Sequence, residues 1–208
     1  MNPGLERLRL MLITDGVGDL DRIQNIVTAA LEGGFSGVQV REPKLGARQL
    51  VALCEHLWPV VCEHDAVLLV NDRVDVAALE CVHGVHLGFR SLVPRQARAI
   101  LGPQKLVGFS AHDGDELAWA SDQGVDYVIL APVFATGSKP DATPLGVEAT
   151  QALVSAATVP AILLGGLNEH TLDAAMTIPA HGHAFMSAVF QAEDPEGAAC
   201  RLSRAVGP

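Results

Sequence analysis

The sequence has little positive charge and no basic stripe. Its 208 residues include 14 Lys and Arg against 24 Asp and Glu, which gives a formal net charge of −10. A chain without clustered cations cannot displace the counterions of a nucleic-acid backbone, so we expect no nucleic-acid partner. An anionic small molecule is still compatible with this charge, provided that its site collects positive groups locally.

The chain also lacks the marks of export and of membrane insertion. No apolar run is long enough to span a bilayer, and the first residues, Met1 to Arg7, do not form a secretory signal. The four cysteines form no Cys-x-x-Cys pair, which is typical of reduced thiols in a cytoplasmic protein. We therefore expect a cytoplasmic protein with no membrane partner. The sequence leaves the oligomeric state open, a homo-oligomer included.

No Gly/Ser linker or block of charge divides the chain, which predicts a single domain over residues 1–208. Short, nearly continuous apolar runs alternate with helical stretches, as in parallel strands that are covered on both faces. The predicted strands are Leu10–Thr14, Gly37–Arg41, Ala66–Asn71, Gly84–Leu87, Leu106–Ser110, Tyr127–Ala131, Ala161–Leu164 and His183–Ser187. The predicted helices include Asp19–Glu32, Ala47–Glu63, Asp113–Gln123, Val147–Ala157 and Glu169–Thr177. Eight such units favour the α/β class and a single (β/α)8 TIM barrel.

Polar residues gather at the carboxyl ends of these strands, where the active sites of (β/α)8 barrels lie. Such groups are costly inside a barrel unless they have partners, so their concentration at one end indicates a binding site. The candidate substrate- and phosphate-binding residues are Gln39, Arg41, Asn71, Ser110, Thr136, Ser138, Lys139, Gly165, Gly166 and Ser187.

Lys139 and the pair Gly165-Gly166 carry the phosphate hypothesis. A Gly-rich loop with a lysine favours an anion, and the Gly-Gly turn lets the backbone approach a ligand closely. We expect the next helix to begin near Asn168 and to direct its amides at that ligand. The alternatives are a solvent-exposed lysine, a plain turn and, for Arg41, a salt bridge with Glu42.

His112 is the candidate for proton transfer, because an imidazole both donates and accepts protons near neutral pH. A capping or surface histidine is the alternative. We expect His86 to be a buried, hydrogen-bonded structural histidine. Asp72 could hold magnesium, although one carboxylate is thin support for such a site, and Asp75 could simply pair with Arg73.

Ordered motifs along almost the whole chain resemble the superfamily of thiamine phosphate synthase and the thiazole tautomerase TenI. These motifs are Leu12–Asp15, Gly34–Glu42, Asn71–Asp75, Gly84–Gly88, Ser110–His112, Pro132–Phe134, Ser138-Lys139, Pro144–Gly146, Gly165-Gly166 and Met186–Ala188. The resemblance implies a (β/α)8 barrel and a role in making or salvaging the thiazole half of thiamine.

Two departures from the synthase pattern decide between the branches. Pro43 stands where the synthase has the lysine that holds the pyrimidine diphosphate, with Lys44 one residue late. Ser91 stands where the synthase has its second magnesium-binding aspartate, and Gly88-Phe-Arg-Ser-Leu92 resembles the tautomerase branch. Lys44 and Asp15 could substitute for the missing groups, and the sequence leaves this open.

The resemblance and its departures together predict a thiazole tautomerase that aromatises a thiazole carboxylate phosphate without a cofactor, with His112 moving the proton. The first alternative is a Mg²⁺-dependent thiamine phosphate synthase, which joins hydroxymethylpyrimidine diphosphate to thiazole phosphate and uses Asp72 at the metal. The second is a non-catalytic, ligand-binding regulatory barrel. The expected partners are a small phosphorylated thiazole and, for the synthase, the pyrimidine diphosphate.

Overall fold

The computed structural model describes residues 3–138 and 140–207, without the side chain of Pro3. Eight parallel strands close into a barrel in chain order, which confirms the predicted (β/α)8 TIM barrel. The strands are β1 Leu10–Ile13, β2 Gly37–Val40, β3 Val67–Asn71, β4 Gly84–Leu87, β5 Leu106–Ala111, β6 Tyr127–Leu130, β7 Ala161–Leu163 and β8 Gly182–Phe185. The helices are α1 Pro3–Glu6, α2 Leu20–Glu32, α3 Ala47–Glu63, α4 Val74–Ala77, α5 Pro94–Leu101, α6 Gly114–Asp122, α7 Gly146–Ala156, α8 Leu172–Met176, α9 Ser187–Phe190 and α10 Pro195–Val206.

Alternate residues of each strand face two different cores. Inward-facing side chains such as Met11, Leu69 and Ile162 fill the barrel and are fully buried. Outward-facing side chains such as Leu12 and Val70 pack against the helical layer. Both faces of each strand therefore bury apolar surface, which explains why the strands are continuous apolar runs rather than alternating ones.

Local signals fix the ends of the long helices. The Asp19 side chain accepts a hydrogen bond from the Arg22 amide at 3.1 Å and begins α2, while Asp113 accepts one from the Glu116 amide at 2.9 Å and begins α6. Gly33 follows α2, and its amide donates to the Ala29 carbonyl oxygen at 2.9 Å. In residues 3–138 and 140–207, no helix combines the length and the apolar character needed to cross a membrane.

Several predicted strands are one or more residues too long at their carboxyl ends. The strand ladder stops before Arg41, and the Arg41 amide instead donates to the Thr14 hydroxyl at 2.8 Å. The largest error concerns β8, which ends at Phe185, so that Ser187 begins α9 instead of closing a strand. Met186 has φ −132° and ψ −81°, which takes the chain out of the sheet before Ser187.

Gly108 and Tyr127 are in close contact deep inside the barrel. A Cβ atom on Gly108 would lie 2.1 Å from Tyr127 Cζ, so only glycine leaves room for the ring. The ring is fully buried, and its hydroxyl lies 3.3 Å from His86 Nδ1. Tyr127 thus fills the space below the polar residues at the carboxyl ends of the strands.

Candidate active site

A cavity of about 400 Å³ opens at the carboxyl ends of the strands. Its volume is within the range of small-molecule sites. The predicted site residues that line it are Gln39, Arg41, Asn71, Asp72, Ser110, His112, Thr136, Ser138, Gly165, Gly166 and Ser187. Lys139, also predicted, lies outside the described residues. The barrel therefore brings the other predicted residues to one cavity, while their individual roles in binding and catalysis stay predictions.

The turn after β7 approaches the neighbouring loop so closely that side chains are excluded. Gly165 and Gly166 have φ values of +97° and +69°, a region that disfavours other residues. A Cβ atom would lie 2.6 Å from the Pro132 Cα at position 165 and 2.5 Å from the Ala135 carbonyl oxygen at position 166. A side chain at either position would therefore clash with the neighbouring loop, so both positions require glycine.

The helix that we expected to begin near Asn168 begins instead at Leu172. The His170 amide donates to the Asn168 side chain at 2.8 Å, and the Asn168 amide donates to the Thr171 hydroxyl at 3.0 Å. These side-chain hydrogen bonds hold the segment in a turn. The amides of His170 and Asn168 therefore already have acceptors and cannot donate to an anion as predicted. The prediction of a helix end at this point was wrong.

Other amides in the cavity wall are available to a ligand. The backbone amides of Gly165, Gly166 and Ser187 donate to no acceptor within the described residues. All three residues line the cavity at the ends of β7 and β8. Buried or half-buried amides without acceptors are favourable donors to phosphate oxygens, so this wall can hold a phosphate without a helix end.

His112 is joined to Glu116, one helical turn further along the chain. Glu116 Oε2 lies 2.8 Å from His112 Nδ1 and accepts a 2.7 Å hydrogen bond from the His112 backbone amide. The carboxylate favours the proton on Nδ1 and fixes the orientation of the ring at the cavity wall. Sequence reasoning missed Glu116, although its i,i+4 spacing from His112 at the start of a predicted helix was a usable signal.

His86 is a buried, hydrogen-bonded histidine, as the sequence predicts. Its Nε2 lies 2.8 Å from the Ser110 hydroxyl and its Nδ1 lies 3.3 Å from the Tyr127 hydroxyl. Burial lowers the pKa of His86 to about 3, so that the ring is neutral at physiological pH. His86 thereby positions Ser110 at the base of the cavity.

Gln39 presents an unpartnered acceptor to the cavity. Its Nε2 donates to Asn71 Oδ1 at 3.1 Å, whereas its buried Oε1 has no hydrogen-bond partner within the described residues. A buried acceptor without a partner is costly, and a ligand that carries an N–H or O–H group would remove the cost.

Asp72 adopts a backbone conformation that is rare for aspartate, with φ +67°. Its amide donates to the His86 carbonyl oxygen at 2.9 Å, and this bond holds the residue at the cavity wall. Arg73 pairs instead with Asp75, Nε to Oδ1 at 2.9 Å, which keeps that carboxylate outside the cavity lining.

Arg41 lines the cavity and forms no salt bridge with Glu42 within the described residues. Glu42 is buried and accepts a hydrogen bond from the Gly16 amide at 3.1 Å. Asp15 forms a salt bridge with Arg22, in which Oδ2 lies 2.5 Å from Nη1. Lys44 is exposed and lies outside the cavity lining. Neither of the two proposed substitutes for the missing synthase residues therefore lies in the site.

The loop after β4 adds residues to the cavity that were not predicted as site residues, namely Gly88, Phe89, Arg90 and Ser91. The sequence showed them only as a departure from the synthase pattern. Arg90 adds a guanidinium group to the cavity lining in addition to that of Arg41, so the lining is richer in positive charge than the predicted list indicated.

The described residues fit a magnesium site poorly. Asp72 is the one carboxylate among the described residues that line the cavity. Residues 3–138 and 140–207 contain no group of three or more His, Cys, Asp or Glu side chains that could hold a metal ion. Magnesium prefers several oxygen ligands in an octahedral arrangement, and a single carboxylate supplies few of them.

Residues 10–189 match a family model described as thiamine monophosphate synthase. The thiamine-phosphate synthase of Synechococcus sp. strain WH7803 is 40% identical over 208 residues, and the chain spans 57% of that relative's length. The thiamine-phosphate synthase of Moorella thermoacetica is 36% identical over 197 residues, which cover 94% of each chain.

A solved structure has the same fold over the whole barrel. Thiamine phosphate pyrophosphorylase from Pyrococcus furiosus matches with a TM-score of 0.87 and 30% identity, over 97% of this chain and 96% of that one. The matches support the superfamily that the motifs predicted. The names of these relatives favour the synthase, the predicted alternative, over the tautomerase branch.

Proposed function

The chain belongs to the thiamine monophosphate synthase family, and from this membership we propose that it is a thiamine-synthesis enzyme that isomerises a thiazole carboxylate phosphate by proton transfer. The observation that carries this proposal is that His112, whose ring is bonded to Glu116, lines a cavity in which Asp72 is the one carboxylate among the described lining residues. A histidine whose ring is oriented by a carboxylate is suited to moving a proton.

The phosphate binds at the ends of β7 and β8. There the amides of Gly165, Gly166 and Ser187 are available to phosphate oxygens, and the glycine turn lets the ligand approach the backbone. Arg41 supplies a positive charge at the cavity wall. This anchoring holds the thiazole ring over the polar floor formed by Ser110 and His86.

The reaction is an isomerisation, so substrate and product contain the same atoms. His112 removes the proton from the ring carbon that bears the carboxylate, and a proton returns to the exocyclic carbon of the double bond as the ring becomes aromatic. Glu116 keeps the Nδ1 proton in place and stabilises the imidazolium that forms between the two steps. A positioned acid–base group contributes a factor on the order of 10²–10⁴.

The proposed isomerisation needs no metal cofactor. In the synthase reaction, magnesium and its acidic ligands would offset the charge of the departing diphosphate. Here Pro43 and Ser91 stand at the two positions that the synthase pattern uses for that purpose, and Asp72 alone provides a carboxylate among the described cavity residues.

A second candidate function is the coupling reaction itself, in which hydroxymethylpyrimidine diphosphate and thiazole phosphate give thiamine phosphate and diphosphate. The names of the relatives favour it. The buried, unpartnered Oε1 of Gln39 favours it as well, because the amino group of the pyrimidine would be a suitable donor. In that case, Asp72 would be the residue available to the metal.

An assay of the purified protein on both reactions, each with and without Mg²⁺, separates these functions. We expect isomerisation of the thiazole carboxylate phosphate that is unaffected by a chelator, and little thiamine phosphate. Robust magnesium-dependent formation of thiamine phosphate would replace the first function with the second. Ligand binding without either turnover would indicate a regulatory barrel.

A further inference from the structure

We propose that Arg90 recognises the carboxylate of the substrate and so determines specificity for the carboxylated thiazole. This inference rests on the proposed function, because it takes the thiazole carboxylate phosphate as the ligand. It concerns the residue before Ser91, in the loop after β4.

A closed turn presents Arg90 to the cavity. The Ser91 amide donates to the Gly88 carbonyl oxygen at 2.9 Å, and the Gly88 amide donates to the Ser91 hydroxyl at 2.9 Å. These two bonds leave Phe89 and Arg90 at the two central positions of the turn. The Ser91 hydroxyl therefore serves the turn, in the place where the synthase pattern has a metal-binding carboxylate.

An aromatic cluster holds this turn in place. The Phe89 ring lies 5.4 Å from the Phe109 ring at an interplanar angle of 70°, and 6.2 Å from the Trp119 ring in a stacked arrangement. Phe109 is buried, whereas Phe89 is 61% exposed. Although Phe89 is largely exposed, its two ring contacts tie the turn that carries Arg90 to β5 and α6.

The charge of Arg90 is not neutralised by a neighbouring acid. Its side chain lines the cavity and forms no ion pair with a carboxylate in the part of the chain that the structure describes. In a protein with a net charge of −10, an unpaired guanidinium at a cavity wall attracts anions to that wall. The planar guanidinium matches a carboxylate through two parallel hydrogen bonds.

Barrel order places Arg90 across the cavity from the phosphate wall. In a closed ring of eight strands, β4 lies opposite β8. Arg90 follows β4, while Gly166 and Ser187 follow β7 and β8. The substrate carries its phosphate and its carboxylate on opposite sides of the thiazole ring, so a phosphate bound at Ser187 directs the carboxylate towards Arg90. Arg41 follows β2 and is nearer to the phosphate wall around the ring.

Pairing with Arg90 also assists the chemistry. The proton to be removed is on the carbon next to the carboxylate, and a cation at the carboxylate lets the developing negative charge spread onto its oxygens. Arg90 therefore acts in both binding and turnover, and it takes no proton itself.

Titration calorimetry with two ligands tests this proposal, using thiazole carboxylate phosphate and the same thiazole phosphate without the carboxylate. Wild type should bind the carboxylated ligand at least about 10-fold more tightly, the effect of one charged hydrogen-bonded pair. Arg90→Gln should abolish this preference and leave the Kd of the uncarboxylated ligand within about 2-fold. Arg90→Lys should restore part of it, and the matched variant Arg41→Gln should keep it.

A preference that persists in Arg90→Gln, or that is lost in Arg41→Gln instead, would overturn the assignment. Equal binding of both ligands by the wild type would also overturn it, while isomerase turnover in the same preparation would still support the proposed function. The reverse result, an Arg90-dependent preference without turnover, would support the recognition role and remove the proposed function.

Discussion

The carboxylate of Glu116 contacts His112 twice, with Oε2 at 2.8 Å from Nδ1 and at 2.7 Å from the backbone nitrogen. One oxygen thus fixes both the ring and the chain segment that carries it. Because Glu116 is on α6 and His112 follows β5, the orientation of the ring depends on the first turn of that helix. The geometry leads to two separate predictions, one for each residue.

Replacement of His112 by alanine should lower kcat by about 10² or more, because the proton transfer loses its carrier. The Kd of the substrate should change far less, since the interaction belongs mainly to the transition state. Steady-state kinetics together with calorimetry measure the two effects. Turnover within a few-fold of wild type would remove His112 from the mechanism and direct attention to Ser110.

Glu116→Gln should lower kcat by about 10-fold or more with little change in KM, because an amide no longer stabilises the protonated imidazole. Asp115→Asn is the matched control, since Asp115 is an exposed acid on the same helical turn, whereas the carboxylate that bonds to the His112 ring is that of Glu116. Equal losses in the two variants would indicate a general effect of charge on the helix rather than an effect on the ring.

Gly165→Ala should weaken the binding of thiazole phosphate by about 10-fold or more. The substitution places a methyl group 2.6 Å from the Pro132 Cα and strains a residue at φ +97°, so the turn must move away from the phosphate. Gly46→Ala is the control, because Gly46 lies outside the cavity lining and its Cβ position is 3.8 Å from the nearest described atom, Gln49 Oε1. Calorimetry with thiazole phosphate compares the two, and similar affinities would place the phosphate elsewhere.

The double substitution Pro43→Lys with Ser91→Asp should raise magnesium-dependent formation of thiamine phosphate by about 10-fold or more, if these two positions are what the coupling reaction lacks. Product formation with and without Mg²⁺ measures the gain. Each single variant serves as a control. An unchanged rate in the double variant would mean that Arg90, or another part of the cavity, prevents the coupling reaction.

His183→Leu should stabilise the protein at acidic pH. His183 is buried, and neither ring nitrogen makes a hydrogen bond of good geometry within the described residues. Burial lowers its pKa, and a weaker polar interaction with the Ala175 backbone offsets part of this shift. Below about pH 6.5 the unfolded chain takes up a proton that the folded ring resists, so stability falls as the pH falls. The unfolding free energy keeps falling until the pH reaches the lower pKa of the folded state, by up to about 1.4 kcal/mol per pH unit.

Urea denaturation at pH 7 and pH 5 checks the His183 prediction. The loss of unfolding free energy between these values should be smaller in His183→Leu than in wild type. His56→Gln is the control, because His56 is exposed and its substitution should leave the loss unchanged. His86, with a folded pKa of about 3, adds a second loss of the same sign that both variants retain. An identical loss in His183→Leu and wild type would contradict the prediction.

The sequence predicts the barrel well because each strand is a compact apolar run, and α3 has the predicted bounds, Ala47–Glu63. The sequence predicts the ends of the strands less well. Hydrogen bonds between distant residues, such as that from the Arg41 amide to the Thr14 hydroxyl, decide where the pairing between strands stops. The helices Pro94–Leu101 and Pro195–Val206 were not predicted, although each begins with a proline, which is favoured in a first helical turn.

Residues near the carboxyl end of a predicted strand, such as Gln39 and Asn71, could be placed at the cavity from the sequence. Glu116 was missed although its i,i+4 spacing from His112 was a usable signal. Arg90 was missed because its role depends on the turn that Ser91 closes, which the residue type alone does not show. The helix expected near Asn168 failed in the same way, because side-chain hydrogen bonds replaced the first helical turn.

The contact between Tyr127 and Gly108 also constrains how this protein can change. The ring lies next to His86, which lines the cavity, and the absence of a side chain at position 108 makes room for it. A larger residue at 108 requires a smaller one at 127, so the two positions form an epistatic pair. Either substitution alone would disturb the packing inside the barrel. Variation in substrate length is therefore easier to achieve at the rim, and adaptation of this chain to other substrates should alter its loops before its floor.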